Sequence, residues 1–306
     1  MTSPTVHPTS PAVRPARTVR RLVTFAIVSA MSFALLTAAA FAAVTGMLAA
    51  PVDRDGMIAL LALGSDAGPY RPGSPLSARA DAIHLVVISP DRRQVSILDI
   101  PRDTQAAVPG RGRTKINACL NGGPERCAQT VAALTGIPID AWFLTDFRGL
   151  QSAIDLFGGL HIDVEQRLRD PFAGTDLQPG PQLLGGGAVL AYSRDRHSRP
   201  NGDVGRSVAQ SRVLMALHRQ ILAENPPVIR VAELVELLRR TTVSNARPDL
   251  QLRLAYLALT IPAENVRSTV LQGRASSAGG ASVAVLTEAA HATIADVRAD
   301  GILAAS

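Results

Sequence analysis

Ile83-His84-Leu85-Val86-Val87-Ile88-Ser89-Pro90-Asp91-Arg92-Arg93-Gln94-Val95-Ser96-Ile97-Leu98-Asp99-Ile100 consists of two apolar, β-branched runs joined by a Pro-Asp-Arg-Arg turn signal. It predicts a hairpin in a buried sheet. Polar residues stand where these strands begin and end: Arg79 and Asp81 just before the first run, Arg102 and Asp103 just after the second. An antiparallel pair sets the start of one strand beside the end of the other, so Asp81 and Arg102 are expected as neighbours. The plainer alternative is a buried Asp–Arg ion pair without a ligand. Upstream, Met57–Leu63 reads as a further strand that ends in Ser65-Asp66. Strand ends are the ordinary place for a site.

Working outward, helices are expected at Arg126–Leu134, Phe147–Phe157 and Val204–Ala223, each followed by glycine or proline stop signals, and also at Val231–Arg240 and Leu250–Leu259. Trp142–Leu144, His161–Val164 and Val266–Leu271 read as strands. The interleaving predicts an α/β domain whose helices cover both faces of the sheet. The segment after about residue 273, rich in Gly, Ala and Ser, carries no readable chemistry.

A second polar cluster lies between Tyr192 and Gln210. Arg194, Arg196, Asp203, Arg206 and Gln210 surround a loop, Arg-Asp-Arg-His-Ser-Arg-Pro-Asn-Gly-Asp, that offers no apolar face to bury. In a helix from Val204 onward, Asp203, Arg206 and Gln210 fall on one stripe at the helix N-terminus, which favours phosphate. Arg194 and Arg196, two apart, share a face only if extended, and in that form both aim at the same site. The alternative is a solvated charged loop.

The net charge is +6, and Lys115 is the only lysine among 31 basic residues. An arginine-for-lysine bias of this kind follows from a GC-rich genome, so the basic balance does not point to nucleic acid. From Leu22 to Ala50 the chain is apolar or small throughout, longer than the roughly 20 residues that span a bilayer. Arg14, Arg17, Arg20 and Arg21 precede it and Asp53 and Asp55 follow. The charge bias therefore predicts one transmembrane helix with a short cytoplasmic tail, and places everything after it outside the membrane; the Ala40-Phe41-Ala42 stretch offers a cleaved signal peptide as the alternative. Expected boundaries are 1–21 for the tail, 22–50 for the anchor, 54–272 for the domain and 273–306 for a Gly/Ala-rich tail, partly ordered. In the exported part a disulfide between Cys119 and Cys127 is chemically permitted, and a structural staple is the expected reading. Two thiols with no nearby histidine cannot fill a zinc shell.

Gly64-Ser65-Asp66, Arg79-Ala80-Asp81, Ile100-Pro101-Arg102-Asp103-Thr104, Lys115-Ile116-Asn117-Ala118, Gly122-Gly123-Pro124, Asp146-Phe147, Gly158-Gly159, Tyr192-Ser193-Arg194-Asp195-Arg196 and Gly202-Asp203-Val204-Gly205-Arg206 stand in the order and near the spacing of the LytR-CpsA-Psr family. Over roughly residues 57–225 the chain resembles that family. The resemblance implies a three-layer α/β/α domain with a mixed central sheet and an apolar cavity for a polyprenyl tail. It also implies a membrane-anchored phosphotransferase that moves a glycopolymer from a polyprenyl pyrophosphate carrier to peptidoglycan. On this chain, Asp66 and Asp81 would organise Mg²⁺. Arg79, Arg102, Lys115, Arg194, Arg196, Arg206 and Gln210 would form the phosphate-binding set, with Asp203 and Gln210 orienting its arginines. Asp81, Asp103 and Asp203 are candidates for the general base, and Arg102 and Arg206 for charge stabilisation during transfer. The chain departs from the family's pattern at Ala82, where a Thr or Ser is usual, and at Ala209, where an Arg is usual. A binder of lipid-linked precursor and a polyprenyl-pyrophosphate pyrophosphatase are the alternatives, and the sequence leaves the glycopolymer open.

Overall fold

Strand β1 (Ile58–Ser65) is followed by β2 (Ala80–Ile88) and β3 (Val95–Asp99), and the last two form the expected hairpin, with Leu85 opposite Leu98 and His84 opposite Asp99. Its turn closes through hydrogen bonds from Ser89 N to Gln94 O (3.0 Å) and from Arg92 N to Ser89 O (2.9 Å). Arg92 takes φ +60° there. The Ser89 hydroxyl holds the turn from inside, donating to Asp91 Oδ1 at 2.6 Å, the local side-chain bonding that makes Ser and Asp turn residues.

The computed structural model describes residues 56–67, 78–223, 235–237, 239–278 and 280–304. The expected tail at 1–21 and anchor at 22–50 lie outside these residues. No helix among the described residues is long and apolar enough to cross a membrane.

Around the hairpin a six-stranded mixed sheet is built in the order β11-β6-β1-β2-β3-β12, where β6 is Ala141–Thr145, β11 Val243–Ser244 and β12 Val266–Val270. β1 lies antiparallel to β2 and parallel to β6, and β12 runs parallel to β3. Side chains alternate across this sheet. Leu61, Leu63, Ile83, Leu85, Val87 and Leu98 face one way, against the 3₁₀ helix Ile116–Gly122, helix α1 (Pro124–Thr135) and the C-terminal helix. Ile58, Leu60 and Ile88 face the other, against Leu250 and Leu257 of the helix at Pro248–Thr260. With both faces covered, the strands read as near-continuous apolar runs rather than alternating ones.

A second core holds the charged loop in place. It gathers Ile154 of α2 (Phe147–Leu156), strands β7 (Leu160–Val164) and β10 (Gly180–Leu184), Val189 and Tyr192 of α3 (Gly186–Arg194), and Ala209, Val213 and Ala216 of α4 (Asp203–Ala223). Asp146 caps α2, its side chain accepting from Gly149 N at 2.7 Å. Residues 235–237 and 239–241 are helical, overlapping the expected Val231–Arg240 helix and running one residue past it, and α5 (Pro248–Thr260) contains the expected Leu250–Leu259.

The segment from residue 273 is more regular than a Gly/Ala-rich tail. It forms the hairpin β13 (Gly273–Ala278) and β14 (Ala281–Leu286) and then α6 (Glu288–Asp300), whose Ala290, Ile294 and Val297 join the main core. Gly and Ser at the hairpin conceal the i, i+4 and i+7 spacing of these three residues, which is the helical signal. Cys119 and Cys127 are bonded to each other within that core, tying the 3₁₀ helix to α1.

Candidate functional site: an arginine and aspartate cluster at the strand ends

The register of β2 and β3 carries Asp81 and Arg102 together past the His84–Asp99 pair. Arg102 Nη1 donates to Asp81 Oδ1 at 2.7 Å. Helix α4 then comes down on this pair with its first two turns. Asp203 Oδ2 lies 3.7 Å from Arg102 Nε, Arg206 Nη2 lies 3.3 Å from Asp203 Oδ1, and Gln210 Nε2 donates to the carbonyls of Asp81 and Ser193, 3.3 Å each. The expected stripe of Asp203, Arg206 and Gln210 thus meets the strand ends. Arg196 enters from the loop, with Nη1 4.0 Å from Asp203 Oδ1.

Arg194 is placed otherwise than expected. It ends helix α3 instead of extending beside Arg196, and its guanidinium lies 4.7 Å from the centre of the Phe147 ring, a cation–π contact. The loop after it is not a solvated one either. Asp195 and Arg199 are buried: Asp195 Oδ1 accepts from Ser198 N at 3.1 Å, while Arg199 pairs with Glu165 and covers the Tyr192 ring at 4.7 Å. Glu165 also accepts from the Tyr192 hydroxyl (2.9 Å) and pairs with Arg212 (2.8 Å). Gly205 makes room for this packing, since a Cβ on it would stand 2.9 Å from Arg199 Cβ.

Charge at the centre of the cluster is held under tension between burial and pairing. Burial disfavours the Arg102 cation, but the Asp81 hydrogen bond and the charges of Asp81, Asp203 and Asp103 outweigh it, and its pKa is raised. For Arg206, burial is the larger effect and pushes its pKa down, with Asp203 opposing and Arg102 adding to the shift. Arg102 Nε, Arg206 Nε and Asp203 Oδ1 are buried without a hydrogen bond of good geometry. A buried donor left unpaired costs free energy, and an anionic oxygen placed between these guanidiniums relieves it.

Asp66 and Arg79 sit at the margin. Arg79 N donates to Asp66 Oδ1 at 2.7 Å, and both residues are exposed. Lys115, at the end of β5 (Gly112–Lys115), pairs with Asp103 at 3.0 Å. Backbone bonds from Ile116 N to Thr104 O and Asn117 N to Arg102 O place that pair beside Arg102. Among the described residues no group of three or more His, Cys, Asp or Glu is arranged to hold a metal. Mg²⁺ asks for less, because it commonly takes one or two carboxylates and fills its shell with phosphate oxygens and water. Asp66 and Asp81 fit that demand, each giving one oxygen to a protein donor.

The two departures from the family's motifs have structural settings. Ala82 stands opposite Gly64 across the strand pair, where a Cβ on Gly64 would lie 3.0 Å from the Ala82 Cβ. Ala209 is fully buried and belongs to the second core with Tyr192 and Val213. Several residues that organise the site escape a sequence reading. Asp170 is one; buried, it accepts from Arg196 N, His197 N and His197 Nδ1. Glu165 and Arg199 are others. For Glu165 the one available signal is its place directly after the strand-like His161–Val164; Asp170 and Arg199 carry none.

The fold and site define a mixed α/β domain that gathers guanidiniums and carboxylates at its strand ends. Residues 32–298 match the LytR_cpsA_psr family, and the chain belongs to it. It is similar to a probable cell wall biosynthesis protein, LcpB, of Corynebacterium glutamicum, with 38% identity over 140 residues, 45% of this chain and 33% of that one. It is also similar to the polyisoprenyl-teichoic acid–peptidoglycan teichoic acid transferase TagV of Bacillus subtilis, 31% identical over 179 residues, 55% of this chain and 45% of that one. The matches therefore span less than half the length of either relative. Among solved structures, TagT of Bacillus subtilis bound to LIIa-WTA shares the fold, with a TM-score of 0.64 and 23% identity over 79% of this chain and 88% of that one.

Proposed function

We propose that this protein transfers a glycopolymer from a polyprenyl pyrophosphate carrier to peptidoglycan, forming a phosphodiester link. The observation that carries this reading is the network of Arg102, Asp81, Asp203, Arg206 and Arg196 at the strand ends. Arg102 and Arg206 each keep a buried Nε without a hydrogen bond, which suits a phosphate group. The relatives' names place similar chains in cell wall biosynthesis and teichoic acid transfer.

In this reading a muramic acid hydroxyl attacks the phosphorus joined to the sugar. The new O–P bond forms as the bond from that phosphorus to the bridging oxygen breaks, and polyprenyl phosphate leaves with the bridging oxygen and the electron pair. The hydroxyl proton passes to a carboxylate, with Asp81, Asp103 and Asp203 the candidates. Arg102, Arg196 and Arg206 hold the non-bridging oxygens and neutralise charge that shifts to the leaving group. Arg79, Lys115 and Arg194 would serve as further cations toward the lipid head. Asp66 and Asp81 would hold Mg²⁺, which when bound neutralises phosphate oxygens and orients them.

The polyprenyl tail would lie along the sheet face covered by α5, where Val86, Phe143 and Leu254 are only partly buried. The 22–50 segment would anchor the chain in the cell membrane, N-terminus in the cytoplasm and domain outside. Nothing in the composition calls for a nucleic acid partner. The test is to incubate the full chain with Mg²⁺, a polyprenyl-pyrophosphate glycan and peptidoglycan. Linked product is expected; retained lipid without transfer would leave a binder, and lipid phosphate released equally without acceptor would leave a pyrophosphatase.

A further inference from the structure

Phe172 is 83% exposed, the most exposed large apolar side chain among the described residues. A phenylalanine left in water forgoes the burial that its ring could gain, yet this one is held in a fixed place. It sits in the turn between β8 (Leu168–Asp170) and β9 (Thr175–Leu177), where Gly174 at φ +75° supplies the left-handed residue.

Asp170 fixes that turn and the arginine loop at once. Its Oδ1 accepts from Phe172 N (3.0 Å) and Ala173 N (3.4 Å). Its Oδ2 accepts from His197 Nδ1 (2.8 Å), His197 N (3.3 Å) and Arg196 N (3.4 Å). Burial works against this carboxylate's charge, but the hydrogen bonds prevail and hold its pKa down at about 2. The Phe172 and His197 rings consequently lie with centroids 5.1 Å apart, tilted by 48°. With Nδ1 committed to Asp170, Nε2 is the nitrogen His197 has left for a ligand, on a side chain 46% exposed.

The next residue back along the chain is Arg196, whose guanidinium faces Asp203 in the cluster. Two adjacent rings, one apolar and one with a polar edge, are thus tied through Asp170 to the backbone of Arg196, a residue of the cluster. A sugar ring has that same division, with an apolar C–H face and a rim of hydroxyls. A membrane contact asks for a contiguous apolar patch. Phe172 is instead a single large ring flanked by the small Pro171 and Ala173, and among the described residues the other strongly exposed apolar side chains, Leu156 and Leu183, belong to α2 and β10.

We propose that Phe172 and His197 form a saccharide-binding platform that receives a sugar of the lipid-linked glycan close to the phosphate held by Arg196. Phe172 packs on the C–H face, and His197 Nε2 bonds a hydroxyl. This rests on the reading of the cluster as a lipid pyrophosphate site, and it adds the residues that recognise the carried sugar.

The experiment measures affinity of the full chain for two probes: polyprenyl pyrophosphate, and the same lipid bearing an N-acetylhexosamine. Phe172→Ala is expected to weaken binding of the sugar-bearing lipid about tenfold and to leave the bare lipid within about twofold, with Phe172→Tyr close to wild type. Because Phe172 is so exposed, the variant keeps the fold, which its circular dichroism checks. Equal loss for both probes would assign Phe172 to the lipid or the membrane and overturn the platform. So would no loss for either, or a wild type that does not prefer the sugar-bearing lipid. A wild type that binds neither probe overturns the pyrophosphate reading too, whereas one that binds both with the expected difference but transfers nothing removes only the transferase reading.

Discussion

Gln210 Nε2 donates to the backbone carbonyl of Asp81 at 3.3 Å, across 129 residues of sequence. The same nitrogen reaches Ser193 O, so one amide joins the strand that carries Asp81, the helix that ends in Arg194, and the helix that carries Asp203 and Arg206. Truncating it leaves each half of the cluster intact but frees their relative position. Gln210→Ala is expected to lower the transfer rate by up to about 100-fold, the size of loss that an ångström of misplacement causes. Lipid affinity changes little. Steady-state assays that separate kcat from KM check this; a rise in KM alone would show Gln210 to be a binding contact.

Arg102 is the residue that both halves share, paired with Asp81 and facing Asp203. Removing its guanidinium leaves two carboxylates facing each other where negative phosphate must enter. Arg102→Ala is expected to reduce transfer by about 10²–10³-fold, and Arg102→Lys to recover only part of it, because an ammonium cannot reproduce the planar fork. Folding, followed by denaturant unfolding, remains cooperative in both variants.

Asp170 connects stability to pH. Its folded pKa of about 2 lies below the usual aspartate value, so the carboxylate contributes stability that is fully present above about pH 4. That contribution is lost as pH falls through the folded pKa. Asp170→Asn keeps the size but weakens five charge-assisted bonds, and is expected to cost about 1–3 kcal/mol at pH 7. The difference between wild type and variant in urea unfolding should shrink between about pH 4 and pH 2. A gap independent of pH would mean that the asparagine disturbs packing instead.

Ala209 marks where a motif departs and the structure explains it. An arginine introduced there has to enter a packed apolar cluster. Ala209→Arg is expected to destabilise the protein by about 3 kcal/mol or more and to add no transfer activity. Thermal unfolding and the transfer assay together read this; a stable variant with raised activity would place the position at the cluster.

The hairpin and the Asp81–Arg102 contact are legible in the sequence because both runs are apolar and an antiparallel register leaves little freedom once the turn is placed. Helix α4 is legible for the same reason that its stripe is: Asp203, Arg206 and Gln210 keep helical spacing. The loop between Arg194 and Asp203 is not. Its charges read as a cluster aimed at an anion, or alternatively as a solvated loop, yet Arg199 is buried because Glu165 and the Tyr192 ring surround it, and Asp170 reaches His197 across 27 residues. Nothing local announces such partners. Arg194 goes astray differently, since the apolar run Ala188–Tyr192 carries a helix into it and overrides the extended form that two alternating arginines suggest.

The most direct test of the transfer mechanism follows the phosphorus itself. A polyprenyl-pyrophosphate glycan labelled at the sugar-linked phosphate is given to the full chain with Mg²⁺ and peptidoglycan, and the products are separated. The label should appear in peptidoglycan as a phosphodiester, with unlabelled polyprenyl phosphate released in equal amount. Label that remains on the lipid, or that leaves as sugar phosphate in water whether or not peptidoglycan is present, would contradict it.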